Sequence, residues 1–276
     1  MNYPAQSAMH AARFSALMLV ATMLTSACVA ATVPASPEEE KLGGLLARTA
    51  DRTVVFLDQF SDVKCTEQVR QEKLGKDDKV QLKEDSTYDY LAILSNSGGD
   101  LNLTESRIPV KRAKPDRRNT SMLLSNGFAT LFLIFHPYYS AAFKFTLAGE
   151  EMLAGRTYQK VTFQHITGMK SPAALALRGR EYPLELSGTA WIDAETGSIL
   201  KLQAGIADTL QDVGLKSLAS EIDFAPVSFS DSKQVYWFPS EARVEVETPR
   251  QHWRNLHQFT AYKKFSVTTE EQVATK

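Results

Sequence analysis

The feature that most constrains this chain is the stretch from Leu186 to Ala204, LSGTAWIDAETGSILKLQA. Its residues alternate with a period of two on both sides of a turn, Asp193-Ala-Glu-Thr-Gly197. Alternation around a turn that contains Asp and Gly predicts a β-hairpin. Such a hairpin lays one face on a core and leaves the other face more solvated. The chain is therefore expected to build an antiparallel sheet around this hairpin.

Short runs of strand-forming residues, separated by turn clusters, recur along most of the remaining sequence. They predict about ten or eleven antiparallel strands in a mainly β (α+β) fold. The strands do not alternate with helices, which excludes doubly wound and TIM-barrel architectures. A β-rich domain can run to roughly 200–250 residues. We therefore expect one domain over residues 32–276.

Two long helices are predicted to cover this sheet. The first begins after Ser36, a plausible N-cap, with Pro37 at its first position and glutamates in its first turn. Apolar residues then recur at helical spacing as far as Phe60. The second prediction spans residues 119–135 and ends before Pro137. It is apolar nearly all round, which is typical of a helix buried on several sides.

Residues 1–31 have the order of a secretory signal peptide. A polar start with a single arginine, Arg13, precedes the apolar run FSALMLVATML, and small residues follow. The apolar run is shorter than the roughly 20 residues of a membrane-spanning helix. The sequence therefore predicts export to the cell envelope, in the periplasm or at the outer membrane.

Two processing routes remain open for this leader. Cys28 follows Leu24-Thr25-Ser26-Ala27, which resembles a bacterial lipobox with Thr25 where Leu or Val is preferred. Lipidation of Cys28 would anchor the chain, and this is the one route of membrane association that the sequence offers. Cleavage after Ala30 or Ala31 would instead release a soluble protein.

The sequence contains no motif for catalysis, for a cofactor or for a metal. There is no H-E-x-x-H, G-x-S-x-G or P-loop pattern, and the cysteines lack zinc-site spacing. His252 and His257 are five residues apart on a predicted strand and would not face the same way. Cys65 is expected to be a small buried residue. The net charge of −1 gives no case for nucleic-acid binding.

Several motifs resemble those of one bacterial protein group. GTAWIDAETGSILKL, from Gly188 to Leu202, resembles the G-x-x-W-I-D-x-x-T-G-x-I/V hairpin of exported proteins related to the outer-membrane lipoprotein-sorting carriers (LolA/LolB-like). The stretches DVKCTEQ, FHPYYSAAFKF and VYWFPSEARVEVET resemble uncharacterised relatives of these carriers. The resemblance covers roughly Glu38 to Val267.

That resemblance implies an open antiparallel β half-barrel whose helices close a hydrophobic cavity for acyl chains. The implied cavity lining consists of Phe143, Phe145, Phe163, Leu200 and Leu202. The implied lid consists of Leu124, Phe128, Leu131 and Phe132. The transfer residues of the carriers have no counterpart that can be placed in this chain, so the resemblance does not imply a dedicated lipoprotein carrier.

Two functions follow as hypotheses. The first is a non-catalytic envelope protein that binds a lipid, or the acyl chain of a lipoprotein, in the half-barrel cavity. The alternative is a tethered structural or interaction module whose half-barrel is filled by its own side chains and which binds an envelope protein partner. An enzyme is not expected, because the sequence shows no convergent catalytic groups.

Overall fold

The computed structural model describes residues 36–97, 100–110, 129–153, 155–177 and 180–265. The residues from Ser36 onward form a compact unit. The predicted signal peptide with Cys28, and the predicted lid residues Leu124 and Phe128, lie outside the described residues. Within the described ranges, no helix has both the length and the apolar character needed to span a membrane.

The first helix, α1, runs from Pro37 to Ser61, as the sequence predicts. Ser36 caps it through a capping box: its hydroxyl accepts from the Glu39 backbone N–H at 3.2 Å, and the Glu39 carboxylate accepts from the Ser36 N–H at 2.7 Å. Its buried stripe consists of Leu45, Thr49, Thr53, Phe56, Leu57 and Phe60. These positions recur every three or four residues, so one side of α1 lies on the sheet.

The described residues form twelve strands. In chain order they are β1 Val63–Leu74, β2 Val80–Ser97, β3 Asp100–Pro109, β4 Phe143–Leu153, β5 Arg156–His165, β6 Ala174–Leu177, β7 Arg180–Pro183, β8 Leu186–Asp193, β9 Ile199–Ile206, β10 Ser217–Ser228, β11 Val235–Glu247 and β12 His252–Lys264. Ten of them build one antiparallel sheet in the order β3-β2-β1-β12-β11-β10-β9-β8-β5-β4. The strands β6 and β7 form a separate two-stranded ribbon.

Two strands continue through residue types that usually interrupt a strand. Asp85 and Ser86, both common in turns, lie in the middle of β2, where they pair with Arg70 and Val69 of β1. The Arg70 guanidinium binds the Asp85 carboxylate at 3.0 Å, which accounts for a turn-forming residue type on a strand. Pro239 lies at a register shift within one continuous strand, β11.

The prediction of a second long helix is wrong for the part of it that the structure describes. Residues Ala129–Phe135 form a 3₁₀ helix, and a one-turn helix, α2, follows over Pro137–Ser140. We call residues 129–140 the plug segment. Five successive side chains, from Leu131 to Phe135, are buried. Burial on several sides is thus as predicted for these residues, but the helix is short and of the 3₁₀ type.

The plug segment contacts both edges of the ten-stranded sheet. The Tyr139 hydroxyl donates to the Leu101 carbonyl of β3 at 3.0 Å, and the rings of Phe135 and Phe145, on β4, lie 5.4 Å apart. In a flat sheet, ten strands would hold their edges roughly 40 Å apart. The sheet therefore curves around the plug segment and α1. The edge strands do not pair with each other, so the sheet stays open, as expected of a half-barrel.

The hairpin of β8 and β9 is confirmed, and its tip packs on α1. The Asp193 carboxylate accepts from the backbone N–H groups of Glu195 and Thr196 and holds the turn. Gly197 has a φ of +72°, and a Cβ built there would lie 2.7 Å from the Arg48 carbonyl carbon and oxygen. Glycine is thus required twice, for the left-handed backbone and for the close approach of the tip to the helix.

We expect Gly197→Ala to lower the free energy of unfolding by about 3 kcal/mol, because the new methyl group adds a clash with backbone to the cost of positive φ. Gly214 is the matched control, with the same φ of +72° and nothing within 4 Å of its built Cβ. Gly214→Ala should cost only about 1 kcal/mol, the backbone cost alone. Urea unfolding measures both variants, and equal losses would show that the tip does not pack on α1.

Candidate functional site

The concave face of the sheet is filled by aromatic side chains from α1 and the plug segment. Phe132 stacks on Phe56 with ring centroids 4.1 Å apart and meets Phe224 of β10 edge-on at 4.8 Å. Phe135 meets Phe163 of β5 edge-on at 5.9 Å. The cavity beside Phe56 and Phe132 is about 20 Å³, which is room for about one water molecule. The interior therefore leaves no space for an acyl chain at this position.

The structure brings most of the predicted cavity residues together, but in a packed core. Those that are buried there are Leu131, Phe132, Phe143, Phe163 and Leu202. Phe145 is half-buried and packs against this core from its margin. Whether any of these residues contacts a ligand stays a prediction.

Leu200 does not lie in this core, although the sequence placed it beside Leu202. The register of β8 and β9 shifts between Trp191 and Ile192, which pair with Lys201 and Ile199. Leu200 is therefore the extra residue of a β-bulge, and Ile199 takes the buried position instead. Strict alternation on the sequence cannot reveal a bulge, which accounts for the different position of Leu200.

An open apolar groove lies between α1, the plug segment and β4. Its volume is about 350 Å³, within the range of small-molecule sites. The lining residues of α1 are Leu46, Ala47 and Ala50, and those of the plug segment are Phe135, Pro137 and Ser140. Ala141, directly after the plug segment, and Phe145 of β4 complete the lining. Seven of these eight side chains are apolar, and the Ser140 hydroxyl is the one polar group among them. This groove is the candidate functional site.

Sequence reasoning found part of the groove and missed the rest. Phe145 was predicted to line a cavity, and Leu46 was assigned only to the apolar stripe of α1. Ala47 and Ala50 carried no signal, because small residues beside an apolar stripe are common on helices. Their small volume nevertheless leaves the space that forms one wall of the groove.

A second site-like feature is a buried network of charged residues on β1, β3 and β12. The Arg107 guanidinium binds the Glu67 carboxylate through Nε at 2.6 Å and Nη2 at 2.9 Å. The His257 Nδ1 lies 2.7 Å from Oε1 of this carboxylate, the same oxygen that accepts from Nη2 of Arg107. All three side chains are at least 95% buried. Sequence reasoning missed this network, since His257 was considered only as a metal ligand.

Burial and partners shift the pKa values in this region in opposite directions. Burial alone would raise the pKa of the Glu67 carboxyl, but the hydrogen bonds from His257 and Arg107 outweigh it and hold that pKa below 4.5, its ordinary value. Burial raises the pKa of the Cys65 thiol to about 12. A thiol in that state is unreactive, in keeping with the predicted structural role of Cys65.

The network does not form a metal centre. Across the residues that the structure describes, no group of three or more His, Cys, Asp or Glu side chains is placed to hold a metal ion. His252 lies near Asp78 and Glu245, at 3.4 and 3.9 Å, and away from His257 in its buried network. The charged groups are bonded to one another inside the fold rather than gathered on the groove.

Comparison with known proteins finds distant structural similarity only. No protein-family model and no curated protein matches the chain. A DUF1329 family protein from Desulfovibrio piger is 11% identical with a TM-score of 0.44, and the match covers 85% of this chain and 96% of that one. A LolA superfamily protein from Nitrosomonas europaea is 8% identical with a TM-score of 0.38, over 79% of this chain and 94% of that one. The second belongs to the group that the sequence motifs resemble.

We expect Glu67→Gln to lower the free energy of unfolding by about 3 kcal/mol at neutral pH, because it weakens a buried ion pair and leaves the Arg107 charge less compensated. Since the pKa of Glu67 is depressed on folding, its stabilisation is present above pH 4.5 and is lost as the pH falls through the lower folded-state value. The difference between wild type and variant should therefore shrink at acid pH.

Urea unfolding at neutral pH and at pH values below 4.5 measures this difference. Asp85→Asn is the control, because it removes an exposed ion pair with Arg70 and should cost under about 1 kcal/mol. A Glu67→Gln protein as stable as the Asp85→Asn protein at neutral pH would contradict the assigned role of the network.

Proposed function

We propose that this chain is a non-catalytic protein of the cell envelope that binds an apolar chain, such as the acyl chain of a lipid or lipoprotein, in the groove beside α1. The observation that carries the proposal is the composition of the groove: about 350 Å³ of open space lined by seven apolar side chains and one hydroxyl. An apolar chain that enters such a groove removes the apolar surface of both from water, which lowers the free energy.

The position of the groove supports binding from solution. Phe135 is buried beneath the groove, whereas Ala47, Pro137 and Ala141 on its rim are exposed. A ligand could therefore enter without opening the packed interior. Each Å² of apolar surface that it covers contributes about 25 cal/mol. The expected ligand is a linear apolar chain, since the groove follows the side of a helix.

The envelope location rests on the signal-peptide pattern of residues 1–31 and on the motifs shared with lipoprotein-sorting proteins. The two routes that follow from that pattern are release into the periplasm and anchoring at Cys28. Both place the groove where acyl chains of lipids and lipoproteins are available. The likeness to those motifs concerns the hairpin and neighbouring strands, whereas the groove is argued from its own lining.

The filled interior favours one alternative function. Phe56, Phe132 and Phe224 occupy the centre of the half-barrel, as a structural or interaction module with its own filled core would require. Such a module would use the groove or a sheet edge to hold a protein partner rather than a lipid. The two functions differ in one measurable respect, saturable binding of a small apolar molecule.

We expect the protein to bind the apolar fluorophore N-phenylnaphthylamine saturably, and palmitoleic acid to displace it. The double variant Ala47→Phe, Ala50→Phe fills the groove with two rings. It should bind the fluorophore and palmitoleic acid about tenfold or more weakly than the wild type. Fluorescence titration of the purified protein measures the binding.

Val55→Phe is the matched control, because Val55 is an exposed residue of the same helix that does not line the groove. Its binding should equal that of the wild type. The absence of saturable binding in the wild type, or equal binding in all variants, would favour the filled module.

A further inference from the structure

A small cationic pocket lies on the flank of α1 opposite to the groove. Successive helix residues are separated by about 100°, so Arg48 and Arg52 project from one side of the buried stripe and Ala47 and Ala50 from the other. The pocket has a volume of about 100 Å³, well above the roughly 10–15 Å³ that a cavity needs to hold one water molecule. Its lining residues are Arg52, Arg156, Tyr158, Asp193, Thr196, Ser198, Ile199, Leu200 and Trp237.

The two arginines of this pocket differ from four arginines elsewhere on the sheet. On the strands, Arg70, Arg107, Arg243 and Arg254 each bind a carboxylate within 3.1 Å. Arg156 makes no ion pair within the described ranges, and Arg52 donates only to the Ser198 hydroxyl there, at 3.3 Å. Two guanidinium groups without a carboxylate partner thus border one small pocket.

The one acidic residue of the lining is already engaged. Asp193 accepts from two backbone N–H groups and from the Thr196 hydroxyl through the same oxygen, Oδ1. It therefore serves to hold the hairpin turn, and the formal charge of the lining stays at +1 from two arginines and one aspartate. The Ser198 hydroxyl accepts from Arg52 and keeps its own proton available to a bound acceptor.

The hairpin tip fixes this geometry. The Arg48 guanidinium donates to the Ala194 carbonyl at 3.0 Å, and Gly197 lies against the backbone of α1. Arg52, one turn further along the helix, reaches the same tip through its own bond to the Ser198 hydroxyl. Arg156 reaches it from the start of β5, which neighbours β8 in the sheet.

We infer that this pocket binds a phosphate-type anion between Arg52 and Arg156. Guanidinium groups donate paired hydrogen bonds to phosphate oxygens, and the Ser198 hydroxyl can add a third donor. Ile199 and Leu200 give the pocket an apolar border, so the anion can be free phosphate or the phosphate of a lipid headgroup. This site is separate from the proposed groove and does not depend on it.

Calorimetric titration of the full chain tests the inference with two probes, inorganic phosphate and dihexanoyl phosphatidic acid. Wild type should bind at least one of them saturably, and the double variant Arg52→Gln, Arg156→Gln should bind it about tenfold or more weakly. Arg250→Gln is the control, since it removes an exposed arginine of the β11–β12 turn and should leave binding unchanged. Binding of both probes points to the anion itself, and binding of the lipid alone to a headgroup.

Two results would overturn the inference: neither probe binds the wild type, or the double variant binds as well as the wild type. Arg156→Gln alone keeps the test valid if the double variant does not fold, because Arg156 is exposed. The same proteins are also titrated with N-phenylnaphthylamine. Loss of phosphate binding with unchanged binding of this neutral probe separates the anion pocket from the groove.

Discussion

The fold depends on one constraint, which is that an open ten-stranded sheet must have its concave apolar face covered by the chain itself. A closed barrel would bury that face between its own strands, but here the edge strands β3 and β4 do not pair. The cover consists of α1 and the plug segment, joined by the stack of Phe56 on Phe132. Curvature of the sheet follows, because the plug segment alone contacts both of its edges.

The groove and the cationic pocket lie where this cover stops. On one side of α1, alanines leave an apolar space against the plug segment. On the other side, arginines face the hairpin tip and the start of β5. A single helix thus has an apolar and a cationic flank on either side of its buried stripe. The chemistry of a lipid, an apolar chain with an anionic head, matches both flanks in kind.

The strength of local signals decided how much could be predicted from the sequence. The hairpin and α1 were predicted correctly because turn residues, caps and periodicity act over a few neighbouring positions. The residues of the hairpin motif also have identifiable roles in the packing and the turn. Gly188 leaves room for the Phe163 ring, Asp193 holds the turn, and Gly197 packs on α1.

The parts that sequence reasoning missed are set by distant contacts. Residues Ala129–Phe135 form a 3₁₀ helix, although their own pattern favoured an α-helix. Their rings pack on α1 and on the strands β5 and β10. The bulge at Leu200, the buried pair of Glu67 and Arg107, and the groove wall at Ala47 and Ala50 all depend on partners far along the chain. None of these has a signature within its own strand or helix.

The most direct test of the central claim is photocrosslinking of the purified chain with a fatty acid that carries a diazirine at its terminal carbon, followed by peptide mass spectrometry. We expect labelled residues to fall in two peptides, one containing Leu46 to Ala50 and one containing Phe135 to Phe145. Labelling of the buried strand residues Phe163 and Leu202 would contradict binding in the groove. Labelling that an excess of unlabelled fatty acid does not suppress would contradict it as well.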